Sequence, residues 1–419
     1  MSLTDRVLDN PGLLKLELMR RGLRVAAADL AAVRTTGAHA AGHALFGNSW
    51  DLDVVLPRAT WASVPVHPEL AARSPYVLVR DGAGHHHVTT DVAGARRTPV
   101  TVMPPARFFD HRTASGVPYG RIGTVHGPYL ALSPTDRCGF LDGPDRCRFC
   151  GVAPRGAHDA LPVADVVEAV RVARGEHAVN MVHLSVGWLG DDDGGVTLLE
   201  PYVAAIKKHF DILVAIDSLP PRTDRWIDRA YAMGADAVSY NLEIWDPERF
   251  ALVCPGPARA IGRERFLDAL DYATTVFPSG GVICHLIVGL EPLASTRAGM
   301  TALAARGIVP VLPVYRPFKG RDMRADADVE RFPPSLDELS ELYRELWSLV
   351  RRHRLGVHLV RDLATVTTPL EGRFFAGQDG LLRRIGHRLT GSRLGRRTSA
   401  RLSDLRRALR VREVGAVEP

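Results

Sequence analysis

The stretch Thr124–Pro154, TVHGPYLALSPTDRCGFLDGPDRCRFCGVAP, runs from an apolar segment into three cysteines, Cys138, Cys147 and Cys150. The segment TVHGPYLALSP reads as a strand, so the cysteines fall on the loop that leaves its carboxyl end. Their spacing is C-x8-C-x2-C. Structural zinc takes four protein ligands in a closed tetrahedron, and iron–sulfur clusters usually take four cysteines. A cubane held by three thiolates leaves one iron open to an outside ligand. A zinc loop completed by His126 or His158 fits the spacing equally well, because C-x2-C is common to both. The other two cysteines, Cys254 and Cys284, lie far along the chain, and Cys284 sits inside an apolar strand where a buried thiol is the ordinary reading.

Outward from this loop the chain alternates strands with amphipathic helices. PVADVVEAVRVARGE has helical apolar spacing, and VNMVHLSVG follows as a buried strand. A helix over 198–210, the strand DILVAIDSL and the helix RWIDRAYAMG closed by Gly234 come next. ADAVSYNLEIW, GVICHLIVGLE and GIVPVLPVY supply the remaining strands, with helices at GRERFLDALDYATTVF, 297–305 and SLDELSELYRELWSLVRRH. Six β-α units in succession imply an α/β fold with a parallel sheet and right-handed crossovers, a partial (β/α)6 TIM-like barrel. In such sheets chemistry gathers in loops at the strands' carboxyl ends. Three regions follow: 1–123, mixed α/β with a helix over Pro11–Arg21; 124–365, the partial barrel; and 366–419, an arginine-rich helical extension. GHHHV, with His85–His87, is expected on an exposed loop, since three consecutive histidines cannot all point one way on a strand.

The composition is ordinary for a globular protein, with 419 residues, 46% hydrophobic and 24% charged. No run of eighteen apolar residues occurs, and the start MSLTDRVLDN has neither an apolar core nor the charge order of a secretory signal, which points to the cytoplasm. Five cysteines, three of them clustered, argue for a metal or redox site over a disulfide framework. The net charge of +6 is concentrated in Leu381–Glu413, which holds eleven arginines against two acids. Such a tail could meet nucleic acid, an anionic surface or an acidic partner. No aromatic residues interleave to stack on bases, which favours a solvated amphipathic helix.

CRFC at the top of the first strand of a six-unit barrel resembles the radical S-adenosylmethionine (SAM) superfamily, over residues 124 to about 330. The family's usual spacing is C-x3-C-x2-C, so the first gap is lengthened here. With SPYVLV and PPARFFDHRTASGVPYGRIGTVHG upstream, the chain is similar to a subfamily encoded beside nitrilases. The resemblance implies an enzyme in which Cys138, Cys147 and Cys150 hold a [4Fe–4S] cluster whose fourth iron is chelated by SAM. It places Phe149 against the adenine, and SVGWLG (Ser185, Gly187) at the SAM amino group, without the family's usual glutamate. YNLE sets Glu243 and Asn241 at the ribose. Arg263 or Arg265 would meet the SAM carboxylate, since a guanidinium matches that planar anion. ICHLIVGLE brings Val288, Gly289 and Leu290 to the base. A 5′-deoxyadenosyl radical would then take hydrogen from a small-molecule substrate, with electrons from a donor such as flavodoxin or ferredoxin.

Candidates for substrate contact are Trp188, Asp191 and Asp192 (with Asp193) in GWLGDDDGG, then His183, His285, Tyr315, Arg316 and Lys319 near strand ends. The aspartates read equally as a solvated turn. Too few cysteines remain for a second cubane, which disfavours auxiliary-cluster and sulfur-insertion chemistry. The competing reading is a non-catalytic zinc protein whose basic tail holds nucleic acid.

Overall fold

The computed structural model describes residues 3–26, 51–66, 68–92, 94–103, 107–150, 160–176, 179–315, 329–361, 363–375 and 393–415. Strands β6 (Gly123–His126), β7 (Tyr129–Leu132), β8 (Met181–Ser185), β9 (Leu213–Asp217), β10 (Ala237–Ser239), β11 (Val282–His285) and β12 (Val309–Val311) form one sheet. Its order is β12-β11-β10-β9-β8-β7-β6, and every neighbouring pair from β7 to β12 is parallel. This is the expected run of six parallel strands in sequence order. The difference is at the start: TVHGPYLALSP is a hairpin, with β6 antiparallel to β7 and the turn at Gly127. Gly127 has φ +54, and an added Cβ would meet the Trp61 ring at 2.7 Å, so only glycine fits there.

Helices Val163–Glu176, Val196–His209, Arg225–Ala232, Arg263–Val276, Leu293–Ala305 and Leu336–Arg352 alternate with these strands. The first buries Val166, Ala169, Val170 and Ala173, the i, i+3, i+4, i+7 stripe of a helix with one face on a core. The last begins with a capping box, Ser335 paired reciprocally with Glu338. Along β8 the side chains of Val182 and Leu184 are fully buried on one face. Met181, His183 and Ser185 take the other, because successive side chains point to opposite faces.

The N-terminal part carries a five-stranded antiparallel sheet ordered β2-β1-β5-β4-β3, comprising β1 (Asp51–Leu56), β2 (Thr60–Pro65), β3 (Tyr76–Arg80), β4 (His86–Thr90) and β5 (Thr98–Val102). His86 and His87 belong to β4 and not to a loop, paired with Arg80 and Val79. His85 and His87 both approach Asp81, at 3.6 and 3.9 Å. The helix Pro11–Arg21, capped by Asn10, forms where expected. It ties this part to the end of the barrel: buried Lys15 donates to the Leu363 carbonyl at 3.1 Å and pairs with Glu371 at 3.4 Å.

The basic extension is not a free helix. Over Arg393–Gly415 it lies against the barrel, with Arg407 buried on Asp236 at 2.7 Å and on the Ala235 carbonyl at 3.0 Å. Arg410 donates to the Val276 carbonyl at 2.6 Å, and Asp404 pairs with Lys207 at 2.7 Å. Part of the arginine charge thus neutralises and caps the amino-terminal end of the sheet. Among the described residues no helix is long and apolar enough to cross a membrane.

Candidate functional site

The cysteine loop leaves β7 at its carboxyl end and is fastened on both sides. The Arg121–Asp136 ion pair, at 2.8 Å and largely buried, holds its start. The Gly139 amide donates to the Trp188 carbonyl at 2.8 Å, and the Trp188 amide donates to Cys138 Sγ at 3.3 Å. The parallel pairing of β7 and β8 is thereby followed by contact between the two loops. The Phe140 and Trp188 rings stack at 5.5 Å and 7°. Gly187 lies directly on Cys138: an added Cβ would come within 2.4 Å of the Cys138 Cβ and 2.7 Å of its sulfur. On the far side the Cys147 amide donates to the Phe140 carbonyl, the Cys150 amide to the Cys147 carbonyl, and the Arg148 amide to the Val253 carbonyl. Gly256 packs so closely on Phe140 that a Cβ would meet the ring at 2.3 Å.

The five thiols divide sharply. Cys138, Cys147 and Cys150 are partly accessible, whereas Cys254 and Cys284 are sealed in the core. Burial pushes the Cys138 thiol up, with Cys147 and Cys150 near enough to add to the shift. Cys254, distant in sequence, is brought by the helix Pro247–Val253 into hydrogen-bonding contact with Cys147. His126 lies at the other end of the sheet, paired with Tyr129 where β7 begins and 3.4 Å from Ser63 Oγ. It is therefore not the fourth ligand of a zinc loop, while His158 lies outside the described residues. Among the described residues no three metal-binding side chains gather as a single ion requires.

The lumen face at the carboxyl ends of the strands carries a polar layer. Ser185 of β8 stands in register with Asp217 of β9, and Asp217 with Ser239 of β10. Asn241 Nδ2 donates to Asp217 Oδ1 at 3.0 Å, while Asn241 Oδ1 accepts from Ser239 Oγ at 2.6 Å and from the His285 amide at 3.0 Å. Glu243 has φ +66, rare for a residue with a side chain. Its backbone is held by the His285 carbonyl at 2.9 Å and the Ile287 amide at 2.7 Å. Its carboxylate is near enough to Cys254 and Cys284 to help raise both thiols. Burial lowers His183 to about 4, so its ring is neutral at pH 7.

The remaining expected residues fall in three groups. Val288, Gly289 and Leu290 run beside the last strand, with the Val288 carbonyl accepting from the Tyr315 amide and the Gly289 carbonyl from the Phe332 amide, both at 2.8 Å. Gly289 has φ +103. Both arginines already have protein partners: Arg263 donates to the Trp245 carbonyl at 3.2 Å and lies over that ring, and Arg265 donates to the Pro221 carbonyl at 2.7 Å and pairs with Asp224 at 2.8 Å. Asp191 and Asp192 are exposed, Asp192 paired with Arg222. Buried Asp193 accepts from the amides of Gly195 and Thr197 at the start of the next helix. That makes the acidic run a surface turn with one capping residue. Phe149 packs from the cysteine loop against the core, and Trp188 stacks on Phe140 of that loop. Tyr315 is described, but Arg316 and Lys319 lie outside the described residues.

Two residues of this end were not anticipated. Glu291, almost wholly buried, accepts from the amides of Trp245 and Asp246 and from Thr296 Oγ1, fixing the turn after Glu243. Asp217 is the other. The sequence signal was there in AIDSL, where an acid ends an otherwise apolar strand.

Residues 132–293 match the model of the radical SAM superfamily. The bacteriochlorophyllide c C-7(1)-hydroxylase of Chlorobaculum limnaeum is 25% identical over 155 residues, covering 36% of this chain and 37% of that protein. The ribosomal protein uS12 methylthiotransferase RimO of Frankia alni is 28% identical over 278 residues, covering 60% and 44%. The chain thus spans less than half the length of these relatives. Among solved structures, methylornithine synthase (PylB) aligns with TM-score 0.42 at 16% identity, over 58% of this chain and 68% of that one. The chain carries a radical SAM domain at 132–293. Proteins of that superfamily are enzymes that use a [4Fe–4S] cluster and SAM.

Proposed function

We propose that Cys138, Cys147 and Cys150 hold the cluster and that SAM lies across the adjoining strand ends, so that the protein abstracts hydrogen from a small molecule bound in the lumen. The observation that carries this reading is the division of the thiols, three accessible on one fastened loop and two sealed. The donor set fits a cluster: Gly187 leaves the Cys138 sulfur uncrowded, and the Trp188 amide aimed at it is the kind of donor that stabilises a thiolate ligand. When bound, the cluster supplies the electron that cleaves the SAM sulfonium and releases the 5′-deoxyadenosyl radical. The chain's own part is exclusion and aim. Ser185 and Gly187 meet the amino acid end of SAM, Asn241 and Glu243 the ribose, Phe149 and the 288–290 segment the adenine. Neutral His183 faces the substrate from β8, and His285 from β11. Electrons come from a small redox protein such as flavodoxin or ferredoxin.

Anaerobic reconstitution with iron and sulfide tests it. The protein should turn brown, bind about four iron atoms and cleave SAM with dithionite. A colourless protein holding one zinc would overturn the assignment.

A further inference from the structure

The arginine-rich helix Arg393–Gly415 is inverted for a helix that packs by burying apolar surface. Its inward stripe is Ala400, Ser403, Asp404 and Arg407, at i, i+3, i+4 and i+7. Three of these four grip the barrel through polar groups: Ser403 donates to Asp236 at 2.5 Å, Asp404 pairs with Lys207 at 2.7 Å, and Arg407 is buried on Asp236. The leucines point the other way. Leu402, Leu405 and Leu409, at i, i+3 and i+7, are 48%, 56% and 54% exposed. They make up half of the large apolar side chains that stand exposed among the described residues. Exposed Arg401 and Arg406 flank this seam, one on each side, since each residue turns the helix by about 100°.

The helix carries eight arginines against two acids, so it holds the whole +6 of the chain. A contiguous apolar seam on a surface marks a place where something docks. Whatever covers this one must take leucine and guanidinium side by side. A nucleic acid would take the arginines and leave the leucines wet. A second copy would cover leucine with leucine but bring two helices of +6 together. An anionic lipid surface satisfies both, with phosphates on the arginines and acyl chains on the leucines, and it needs no groove.

We propose that this outward face docks the protein on an anionic lipid surface, with the helix lying in the plane of that surface. Three leucines make the attachment weak and reversible, so it depends on the arginine charge as well. The helix is fastened to Ala235, Asp236 and Val276, just before β10 and β11 begin. The cysteine loop lies at the opposite end of the sheet, so docking leaves the mouth of the barrel open. The inference is independent of the SAM site.

Sedimentation of the full-length protein with vesicles tests it, comparing phosphatidylcholine alone with phosphatidylcholine containing about 30% phosphatidylglycerol. Binding to the anionic vesicles should be roughly tenfold stronger or more, and should be lost at about 0.5 M salt. The triple variant Leu402→Gln, Leu405→Gln, Leu409→Gln keeps good helix formers and should lower binding roughly tenfold. The double variant Arg401→Gln, Arg406→Gln should weaken it several-fold. Circular dichroism and melting temperature check that both have folded, and neither should change SAM cleavage by the reconstituted protein. Absence of binding to anionic vesicles overturns the proposal. So does binding that survives loss of the leucines, which is adsorption by charge alone. A wild-type dimer that the leucine variant dissolves, or a nucleic acid or acidic protein that binds where vesicles do not, gives the seam another occupant and overturns it equally.

Discussion

Two aspartates on neighbouring strands face opposite ends of the same sheet and live in opposite company. Asp236 stands where β10 begins, with Lys207 at 3.1 Å, Arg407 at 2.7 Å, Ser403 at 2.5 Å and the Val214 amide at 2.8 Å around it. Asp217 stands where β9 ends and has a serine, an asparagine and, among the described residues, no cation. The first arrangement satisfies a buried charge completely, which is what a structural site requires. The second leaves a buried carboxyl with neutral hydrogen-bond donors only, among the described residues. On the function proposed above, the contrast separates an end of the barrel that holds from an end that binds.

The largest effect expected is at the binding end. Cys147→Ala should lower iron content and SAM cleavage at least tenfold; full retention of both would remove this cysteine from the ligand set. Gly187→Ala comes next, because its new Cβ would push on Cys138 at 2.4 Å. Cluster occupancy should fall several-fold while the far-ultraviolet circular dichroism is kept, and normal iron loading would show the loop to be slacker than it looks.

At the holding end, Arg407→Ala leaves Asp236 with a weakened set of partners. Breaking a buried pair of this kind costs about 3 kcal/mol, read as a lower denaturation midpoint, whereas SAM affinity should not change. A loss of SAM affinity there would mean that the two ends are coupled.

The pH dependence of stability sharpens the comparison further. A carboxyl whose folded pKa is raised from 3.8 to about 7 holds its proton more tightly in the folded chain. Its stabilising share is therefore present at low pH and is lost as pH climbs through that window. The melting temperature of the cofactor-free protein should accordingly fall relative to Asp217→Asn between pH 4 and pH 8. Parallel curves would show that Asp217 is better solvated than its surroundings suggest. The smallest effect belongs to Asp192→Asn, an exposed residue paired only with Arg222, which should shift stability by less than about 0.5 kcal/mol and leave SAM cleavage intact.

The sequence by itself determined the succession of strands and helices, because each element advertises its own period: the stripe Val166, Ala169, Val170, Ala173 needs no knowledge of its neighbours. It also marked the cysteine loop, whose three thiols lie within thirteen residues. Where local pattern was ambiguous it misled. TVHGPYLALSP reads as one largely apolar segment, and the Trp61 ring behind Gly127 shows why it folds back as a hairpin. The arginines of the last helix look free until Asp236 is brought beneath them. Cys254 lies more than a hundred residues from Cys147 and touches it. Asp217 takes its meaning from Ser185 and Asn241, which come from other strands. Periodicity is a property of one segment and can be read along it. The environment of a charge is set by side chains that meet only when strands far apart in sequence lie in register, and that was settled by the tertiary structure alone.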